Sequence, residues 1–438
     1  MTEPTIIPRA EHSLSRSLVD PDALKVLYRL RQHDYVSYLV GGSVRDLLLG
    51  RRPKDFDIGT SAHPYQVKKL FRNCWIIGRR FRLAHVRFGT KVIEVATFRR
   101  PTPPPGEEPN EPLPPDSVDS PLDDQPQTSP HHAIPRDNTF GTPEEDAFRR
   151  DFTVNALFYD IATFSIIDYV GGLHDLRENL VRCIGDPDER FTEDPVRMMR
   201  AIALAARLDF KIDPPIMEAI GRQGHRIAHA APPRLIEEYL KILRAGASEP
   251  AFRWMADAGL IEPVAPELQR GASVRLWESL ERLDAYRRRF DEIPAALTNV
   301  ILLGTLLVPL GFSPQGSRLA TVNPHKPGPL SLGILPIPRR DVEHLSHMLA
   351  LLPRLLDPGP SPRAHRTLLH RNAFADALTW LEIHGNAPDT VGFWRGLQEG
   401  AATAEGNEST EGTEAPERRR RRRRRRPRRP AGEPRPPE

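Results

Sequence analysis

Two aspartates with one residue between them, Asp55 and Asp57, have a type and spacing that directly indicate chemistry. In an extended strand, residues two positions apart point to the same face, so the two carboxylates would lie side by side. Ionised carboxylates so placed repel each other unless a cation lies between them. Mg²⁺ takes oxygen ligands of this kind and keeps waters and substrate phosphates. Glu94, on a later predicted strand, could complete the set, although exposed turn carboxylates show the same spacing.

A glycine pair, Gly41-Gly42, precedes these acids between an apolar strand predicted over 35–40 and a short helix predicted over 44–49. Backbone N–H groups at a glycine turn that opens a helix can bind a triphosphate. A tight strand-to-helix turn without a ligand would use the same residues. The carboxylates that follow raise the weight of the phosphate interpretation.

The elements that must position these residues form a small α/β unit over 20–100. A helix is predicted to start at Asp20-Pro21, because Asp is a good N-cap and Pro is tolerated at the first helical position. Further strands are predicted around 56–58, at 83–88 and at 91–98. Residues 101–130 contain eleven prolines and little aliphatic pattern, which predicts a disordered insertion.

Helical periodicity dominates the second half of the chain, with clear helices predicted over 197–208 and 233–243. Helical signals continue to about residue 396, interrupted by a Pro- and Gly-rich patch at 313–339. The predicted fold class is therefore α+β: a small N-terminal mixed α/β head, then an all-helical neck and body, then a disordered basic C-terminal tail.

Charge and composition limit the class of protein. The net charge is +4, but residues 418–426 are nine consecutive arginines and two more follow at 428 and 429, so the rest of the chain is mildly acidic. Such a run stays unfolded and is attracted to polyanions.

The two cysteines, Cys74 and Cys183, lack metal-ligand spacing, which argues against a disulfide framework and a zinc site. The N-terminus lacks a secretory h-region, and the apolar run 295–312 is interrupted by Gly and Pro, so we expect a cytoplasmic protein without a membrane span.

Five motifs in order resemble the class II tRNA nucleotidyltransferase and bacterial poly(A) polymerase family, within the polymerase-β-like nucleotidyltransferase superfamily. The first is the glycine turn with its helix and the two aspartates. The other four lie further along the chain. The motifs are residues 41–50 with 55–57, residues 149–156, residues 168–172 with 175–176 and 184–185, residues 193–197, and Arg234 with Glu237-Glu238.

The resemblance implies that the RNA 3′-hydroxyl attacks the α-phosphate of a nucleotide and pyrophosphate leaves. It implies catalytic residues Asp55, Asp57 and Glu94, with two Mg²⁺ ions held by Asp55 and Asp57. It also implies that Asp151 accepts a hydrogen bond from the ribose 2′-hydroxyl, with Arg149 and Arg150 near phosphates. The nucleotide-binding residues that follow from it are Gly41, Gly42, Ser43, Arg45, Arg150, Asp151, Asn155, Asp194 and Arg197.

The fourth motif suggests how a base could be chosen without a template. If Thr192 caps a helix, Asp194 and Arg197 lie on its first turn. A carboxylate accepts hydrogen bonds and a guanidinium donates them, which matches the amine and ring nitrogen that both adenine and cytosine present. Guanine and uracil present the reverse pattern. The alternative is an ordinary salt bridge between the two residues, and the pair does not separate ATP from CTP.

Three features favour a poly(A) polymerase that uses ATP over a CCA- or A-adding tRNA enzyme, which stays open as the alternative. The segment 76–86 and the helical region after 245 resemble bacterial poly(A) polymerases, and an arginine tail suits RNAs of many shapes. The Pro-rich insertion departs from the family pattern. A catalytically silent RNA-binding protein would not need all three acids.

The predicted domains are a nucleotidyltransferase head over 20–175, with a disordered insertion over 101–135, and a neck over 176–250 with the nucleotide-recognition motif. An RNA-binding body over 251–396 and a disordered linker and tail over 397–438 follow. The expected partners are ATP, RNA 3′ ends and the RNA-decay machinery, and we expect a monomer.

Overall fold

The computed structural model describes residues 3–78, 82–100, 140–313, 331–359 and 361–408. The predicted insertion over 101–135 and the arginine tail lie outside the described residues, as do residues 79–81 of the segment 76–86. A mixed sheet forms the N-terminal part, and helices form most of the rest. The sheet-forming and short strands are β1 (Thr5–Ile7), β2 (Ser37–Val40), β3 (Asp57–Thr60), β4 (Cys74–Ile77), β5 (Leu83–Phe88), β6 (Lys91–Thr97), β7 (Leu157–Asp160), β8 (Ser165–Asp168), β9 (Leu180–Val181), β10 (Lys211–Ile212), β11 (Ser331–Leu332) and β12 (Leu335–Pro336).

An eight-stranded sheet organises the head, in the order β1-β8-β7-β2-β3-β6-β5-β4. Neighbouring strands run antiparallel except β3 and β6, which are parallel with Ile58 opposite Val95. Strand β2 is central and pairs with β3 and β7, so the turn after it opens in the middle of the sheet. The smaller pairs are β9 with β10 and β11 with β12.

Helices pack on this sheet and build the rest of the chain. Asp20 caps the first of them by accepting hydrogen bonds from the backbone N–H groups of Asp22 and Ala23, as the sequence predicts. The helices are α1 (Pro21–Gln32), α2 (Gly42–Leu48), α3 (Pro64–Leu70), α4 (Pro143–Phe148), α5 (Gly172–Arg177), α6 (Pro187–Glu193), α7 (Val196–Leu208), α8 (Pro214–Gln223), α9 (Pro232–Leu243), α10 (Ser248–Asp257), α11 (Pro266–Arg270), α12 (Val274–Arg287), α13 (Asn299–Leu307), α14 (Arg339–Leu356), α15 (Pro362–Leu369), α16 (Phe374–His384) and α17 (Pro388–Glu408).

One large hydrophobic core runs from the head sheet into the helices, with Leu39, Ile202 and Trp394 among its buried members. A second, smaller cluster around Phe98 and Phe158 lies on the other face of the sheet. The continuity of the large core means that the helices after α5 are packed onto the head and not tethered beside it.

The apolar run 295–312 contains the helix α13, which is buried except for the partly exposed Asn299, and none of the helices described is both long and apolar enough to cross a bilayer. One expectation about the helical part differs from the structure. The linker predicted from residue 397 instead begins as the last turns of α17, which continues to Glu408. Trp394, buried in the core, anchors that helix.

Candidate functional site

Three carboxylates gather where the start of β3 lies beside the middle of β6. Asp57 is the first residue of β3, and the parallel register places it beside Glu94 of β6. Burial and the charges of Glu94 and Asp55 raise the pKa of Asp57 to about 6, although Arg150 and Lys54 act in the opposite direction. Mutual repulsion of this kind is what a bound cation would relieve.

Asp55 differs from its prediction. It lies before β3 and not within it, it is exposed, and its carboxylate is 3.2 Å from the Lys54 ammonium. The Glu94 carboxylate is 3.4 Å from Nε2 of His85 on the neighbouring strand β5. The two aspartates therefore do not lie on the same strand. Asp55 is a loop residue and Asp57 is a strand residue, and both lie near a third acid, Glu94.

The three acids are oxygen donors of the kind that could bind Mg²⁺ together with substrate. Among the residues described, no group of three or more His, Cys, Asp or Glu side chains is arranged to hold a metal ion by itself. Mg²⁺ commonly binds through one or two carboxylates together with substrate phosphates and waters. The parallel register of β3 and β6 places Asp57 beside Glu94, and Asp55 lies two residues before Asp57, so these three acids could supply ligands to such an ion.

The glycine turn lies beside these acids. Gly41 has φ of +73°, a conformation that disfavours a side chain, and its N–H donates to the Leu157 carbonyl at 3.1 Å. A Cβ on Gly41 would lie 3.0 Å from Nη1 of Arg150. Glycine thus lets the guanidinium of Arg150 approach the backbone at the turn, and the same guanidinium acts on the pKa of Asp57.

Two residues predicted to bind nucleotide are engaged by the protein. The hydroxyl of Ser43 donates to the Val40 carbonyl at 2.9 Å. Arg45 is only 2% exposed, and burial together with the charge of Arg207 lowers its pKa to about 10. Its guanidinium donates to Asp46 at 2.8 Å and to the side-chain oxygen of Asn155. Arg45 therefore ties α2 to the loop that follows Arg150.

Asp146 orients the two arginines of the second motif, a role that the sequence-based analysis missed. Its carboxylate accepts from Nε of Arg149 at 3.1 Å and from Nη2 of Arg150 at 2.9 Å. It is 3% exposed, so both bonds act in a buried setting. Arg150 also donates to the Asn155 carbonyl at 3.2 Å and lies over the Phe158 ring. The signal was available as an acid three and four residues before a pair of arginines.

The acids of the third motif hold the backbone of the second motif in place through hydrogen bonds. Asp175, 2% exposed, accepts from the Thr153 hydroxyl at 2.6 Å and from Arg182 at 3.1 Å. Asp168 accepts from four successive backbone N–H groups, from Val170 to Leu173. These contacts fix the backbone that presents Asp151 and Asn155.

The fourth motif is arranged differently from the prediction. Thr192 does not cap a helix: it lies within α6, and its hydroxyl donates to Gln223 at 3.0 Å. Asp194 and Arg197 do not pair with each other. Nε of Arg197 donates to Asp151 at 2.7 Å, and its Nη1 donates to Glu193 at 2.7 Å and to the Arg190 carbonyl at 2.8 Å.

Asp194 is held by Arg234 from α9, a partner that the sequence-based analysis did not assign. The two form a forked pair, with Nη1 of Arg234 at 2.9 Å and Nη2 on the second carboxylate oxygen. The N–H of Val196 adds a bond at 3.2 Å. Burial raises the pKa of Asp194, but the bonds and charge of Arg234, the N–H of Val196 and the charge of Arg197 together outweigh burial, so the net pKa is lowered. Asp194 is therefore a fixed, ionised acceptor.

Between the second motif, α7 and α9 lies an open cleft of about 230 Å³. Asp151 and Asn155 line it, opposite Arg200, Arg207 and Lys241. Arg200 joins the two sides, because it donates to Asp151 at 3.2 Å and to the buried Glu238 of α9 at 3.0 Å. The structure thus brings Gly41, Arg45, Arg150, Asp151, Asn155 and Arg197 into one connected network, with Asp57 beside it.

Arg190 of α6 connects the second and fourth motifs. Its Nη2 donates to the carbonyls of Arg149 at 2.7 Å and Arg150 at 2.8 Å, while its Nη1 donates to Glu193 at 2.9 Å. Because Glu193 also binds Arg197, one guanidinium sets the position of both motifs.

The architecture defines the class of protein. The structure of the CCA-adding enzyme from Bacillus stearothermophilus in complex with CTP superposes with a TM-score of 0.59 at 26% sequence identity, covering 88% of this chain and 83% of that one. The predicted α+β class is confirmed: the mixed head sheet followed by helices is a nucleotidyltransferase fold.

The family follows from the sequence comparisons. Residues 37–182 match the model of the poly(A) polymerase head domain, residues 209–271 match a probable RNA- and SrmB-binding site of polymerase A, and residues 331–430 match the arginine-rich C-terminus of polymerase A. The chain belongs to the class II tRNA nucleotidyltransferase and bacterial poly(A) polymerase family.

Relatives of both enzyme types are similar to this chain. Poly(A) polymerase I of Salmonella typhi is 48% identical over 281 residues, which is 64% of this chain and 57% of that protein. The CCA-adding enzyme of Lactobacillus johnsonii is 35% identical over 242 residues, 55% of this chain and 54% of that protein. The chain spans little more than half the length of the curated relatives that it matches.

Proposed function

We propose that the protein is a template-independent poly(A) polymerase that adds AMP from ATP to RNA 3′ ends. The observation that carries the chemistry is the crowded carboxyl of Asp57, set between Asp55 and Glu94 and beside Arg150. The greater similarity to poly(A) polymerase I than to a CCA-adding enzyme supports ATP as the nucleotide.

Asp55 and Asp57 would hold the Mg²⁺ ions, with Glu94 completing the set. Two such ions supply activation of the attacking oxygen and neutralisation of the triphosphate. Arg150, oriented by Asp146 and close to the turn at Gly41, would bind the phosphates. A contact of Ser43 with phosphate would come from its backbone N–H, since its hydroxyl proton is already donated to Val40.

The base would be bound between Asp194 and Arg197. The bonds of Arg197 engage Nε and Nη1, so within the described residues the two N–H groups of Nη2 are free to donate to a ring nitrogen. Asp194, fixed by Arg234, keeps lone-pair capacity to accept from the neighbouring exocyclic amine. Asp151 would accept a hydrogen bond from the ribose 2′-hydroxyl at the mouth of the cleft, and Asn155 also lines the cleft.

The domain assignment follows the same argument. We assign nucleotidyl transfer to the head (20–175), nucleotide recognition to the neck (176–250) and RNA binding to the body (251–396). The arginine tail would add contacts to RNA, whose phosphates attract cations without regard to sequence. Cytoplasmic location, a monomeric state and engagement with RNA decay stay predictions of the sequence.

The experiment that tests the function compares RNA substrates. With Mg²⁺ and ATP, the protein should add long A tracts to an unstructured RNA without a tRNA fold, and CTP should be used poorly. Product length is measured on a gel, with generic RNA beside tRNAs that end before, within and after CCA. A protein that ignores generic RNA, completes the truncated tRNAs and stops would instead be a CCA- or A-adding enzyme.

Arg190 gives a second test of the site. Arg190→Lys keeps the charge but cannot donate to two carbonyls and a carboxylate at once. We expect roughly a tenfold or greater loss of kcat with ATP, because the second and fourth motifs lose their common anchor.

Arg222→Lys, which changes an exposed arginine paired with Asp188, is the matched control and should leave kcat unchanged. Equal kcat values for Arg190→Lys and the control would mean that Arg190 does not position the site.

A further inference from the structure

A concavity lies in the helical body, away from the motifs. It measures about 570 Å³ and is open to solvent, between one face of α14 and the loop that joins α15 to α16. The helix contributes His344, His347 and Arg354, whose spacing places them along one face. The loop contributes His370 and Arg371. We call this concavity the body groove.

The side chains of the body groove are basic and largely without protein partners. Within the described ranges, Arg354, Arg371, His347 and His370 take part in no side-chain hydrogen bond or ion pair, and all four are exposed. Arginines of the catalytic half such as Arg150, Arg190 and Arg197 are engaged by carboxylates or carbonyls. The body groove therefore presents two complete guanidinium forks to solvent in a concave setting.

The chemistry of the groove selects an anion. Asp376, an acid beside the groove, already binds Nε2 of His344 at 2.8 Å and accepts from the Thr298 hydroxyl at 2.8 Å. The histidines do not form a metal site with it, since the described residues contain no metal-binding group of three, and two guanidiniums would repel a cation. Guanidinium groups bind phosphate oxygens in bidentate geometry.

We propose that the body groove binds phosphates of the RNA strand upstream of the 3′ end that occupies the head. This proposal rests on the proposed function, because it takes RNA as the substrate. An open groove lined along more than two turns of α14 suits consecutive phosphates of an extended strand more than one compact anion. The arginine run of the chain's own tail is excluded as the occupant by charge repulsion.

The test uses the full-length double variant Arg354→Gln/Arg371→Gln. Its affinity for oligo(A) of about 20 nucleotides should fall roughly tenfold at about 0.1 M salt, and the slope of log K against log[salt] should flatten by about 0.7 for each lost phosphate contact. Fluorescence anisotropy measures both quantities. Binding of a methylphosphonate oligomer, whose backbone is uncharged, should not differ between wild type and variant.

Two further variants distinguish RNA binding in the body groove from a general effect of positive charge. Arg363→Gln/Arg366→Gln removes the same charge from exposed positions of α15 that do not line the groove, and it should leave the slope unchanged. Arg354→Lys/Arg371→Lys keeps the charge and should retain most of the slope.

Equal effects of the two glutamine variants, or no effect of the groove variant, would overturn the proposal. Failure of the proposed function looks different, because the wild-type protein would then add no A tract to generic RNA. The groove variant should still add AMP to RNA, with a raised KM for long RNA, because the groove lies outside the catalytic network.

Discussion

Asp57→Asn should lower the rate of AMP addition by about 10³-fold or more and at the same time make the metal-free protein more stable. The loss of rate follows from removing a carboxylate that the proposed ions need. The gain in stability follows from the pKa of Asp57, which burial and the charges of Glu94 and Asp55 raise to about 6. A residue that is costly to ionise in the folded protein is typical of a site that trades stability for function.

The sign of the stability effect depends on pH. Between the ordinary value of 3.8 and about 6, the folded protein binds a proton at Asp57 that the unfolded chain has lost, so stability falls as pH rises through this window. Above about pH 6 the whole penalty is present, at most about 3 kcal/mol for a shift of this size. Asp57→Asn should therefore raise Tm at about pH 7.5 without metal, and the advantage should disappear below about pH 4.

Asp22→Asn is the matched control, because it removes the same charge from α1, where Asp22 pairs with Lys25. It should change neither the rate nor the pH dependence of Tm beyond the small effect of a surface pair. Turnover within tenfold of wild type for Asp57→Asn would remove Asp57 from the catalytic set. A lowered Tm at about pH 7.5 would contradict the electrostatic argument alone.

Much of the fold could be predicted from the sequence, because the patterns that specify its helices and strands are local. Three local signals depend on neighbours within a few residues: the Asp20 cap, the strand before the glycine turn, and the alternation that buries Ile93 and Val95 and puts Glu94 on the opposite face of β6. The helix predicted over 197–208 begins one residue earlier in α7, and the helix predicted over 233–243 likewise in α9. Such short-range patterns survive because tertiary packing reinforces them.

The pairing of charged side chains in the site could not be predicted from the sequence, because the partners are far apart along the chain. Arg197 could satisfy its guanidinium with Asp194, three residues away, yet it donates to Asp151, which is 46 residues away in sequence. Asp194 in turn pairs with Arg234, 40 residues away. Pro195 ends the extended segment at Asp194 and starts α7 after it, so the two residues do not share a helical turn. Only the packing of α9 against α7 brings Arg234 within reach.

With these partners, the proposed selection of the base would depend on three helices. Arg197 extends from α7, Glu193 ends α6, and Arg234 extends from α9. Arg190 and Asp151 connect this group to the backbone at Arg150. Geometry that depends on several elements can hold a donor and an acceptor at a fixed spacing, which is the condition for reading a base without a template.

Arg234→Ala should impair base discrimination about as strongly as Asp194→Ala, although only Asp194 is proposed to contact the base. Without Arg234, the carboxylate of Asp194 is half-buried and loses its forked partner, so both its orientation and its lowered pKa are lost. We expect each single variant to reduce the ratio of kcat/KM for ATP over UTP by roughly 10- to 100-fold, equivalent to about 1–3 kcal/mol. Single-nucleotide incorporation with each of the four nucleotides measures the ratio.

The double variant Asp194→Ala/Arg234→Ala separates positioning from direct contact. If Arg234 acts through Asp194, the double variant should discriminate no worse than Asp194→Ala, since the second change removes a partner of a group already absent. Arg222→Ala, on an exposed pair of the neighbouring helix α8, is the control and should keep the wild-type ratio. Additive losses would mean that Arg234 contacts the nucleotide itself. An unchanged ratio of kcat/KM in Asp194→Ala would mean that the forked pair is only a structural contact between α6 and α9. Base selection would then have to come from Arg197 and the walls of the cleft.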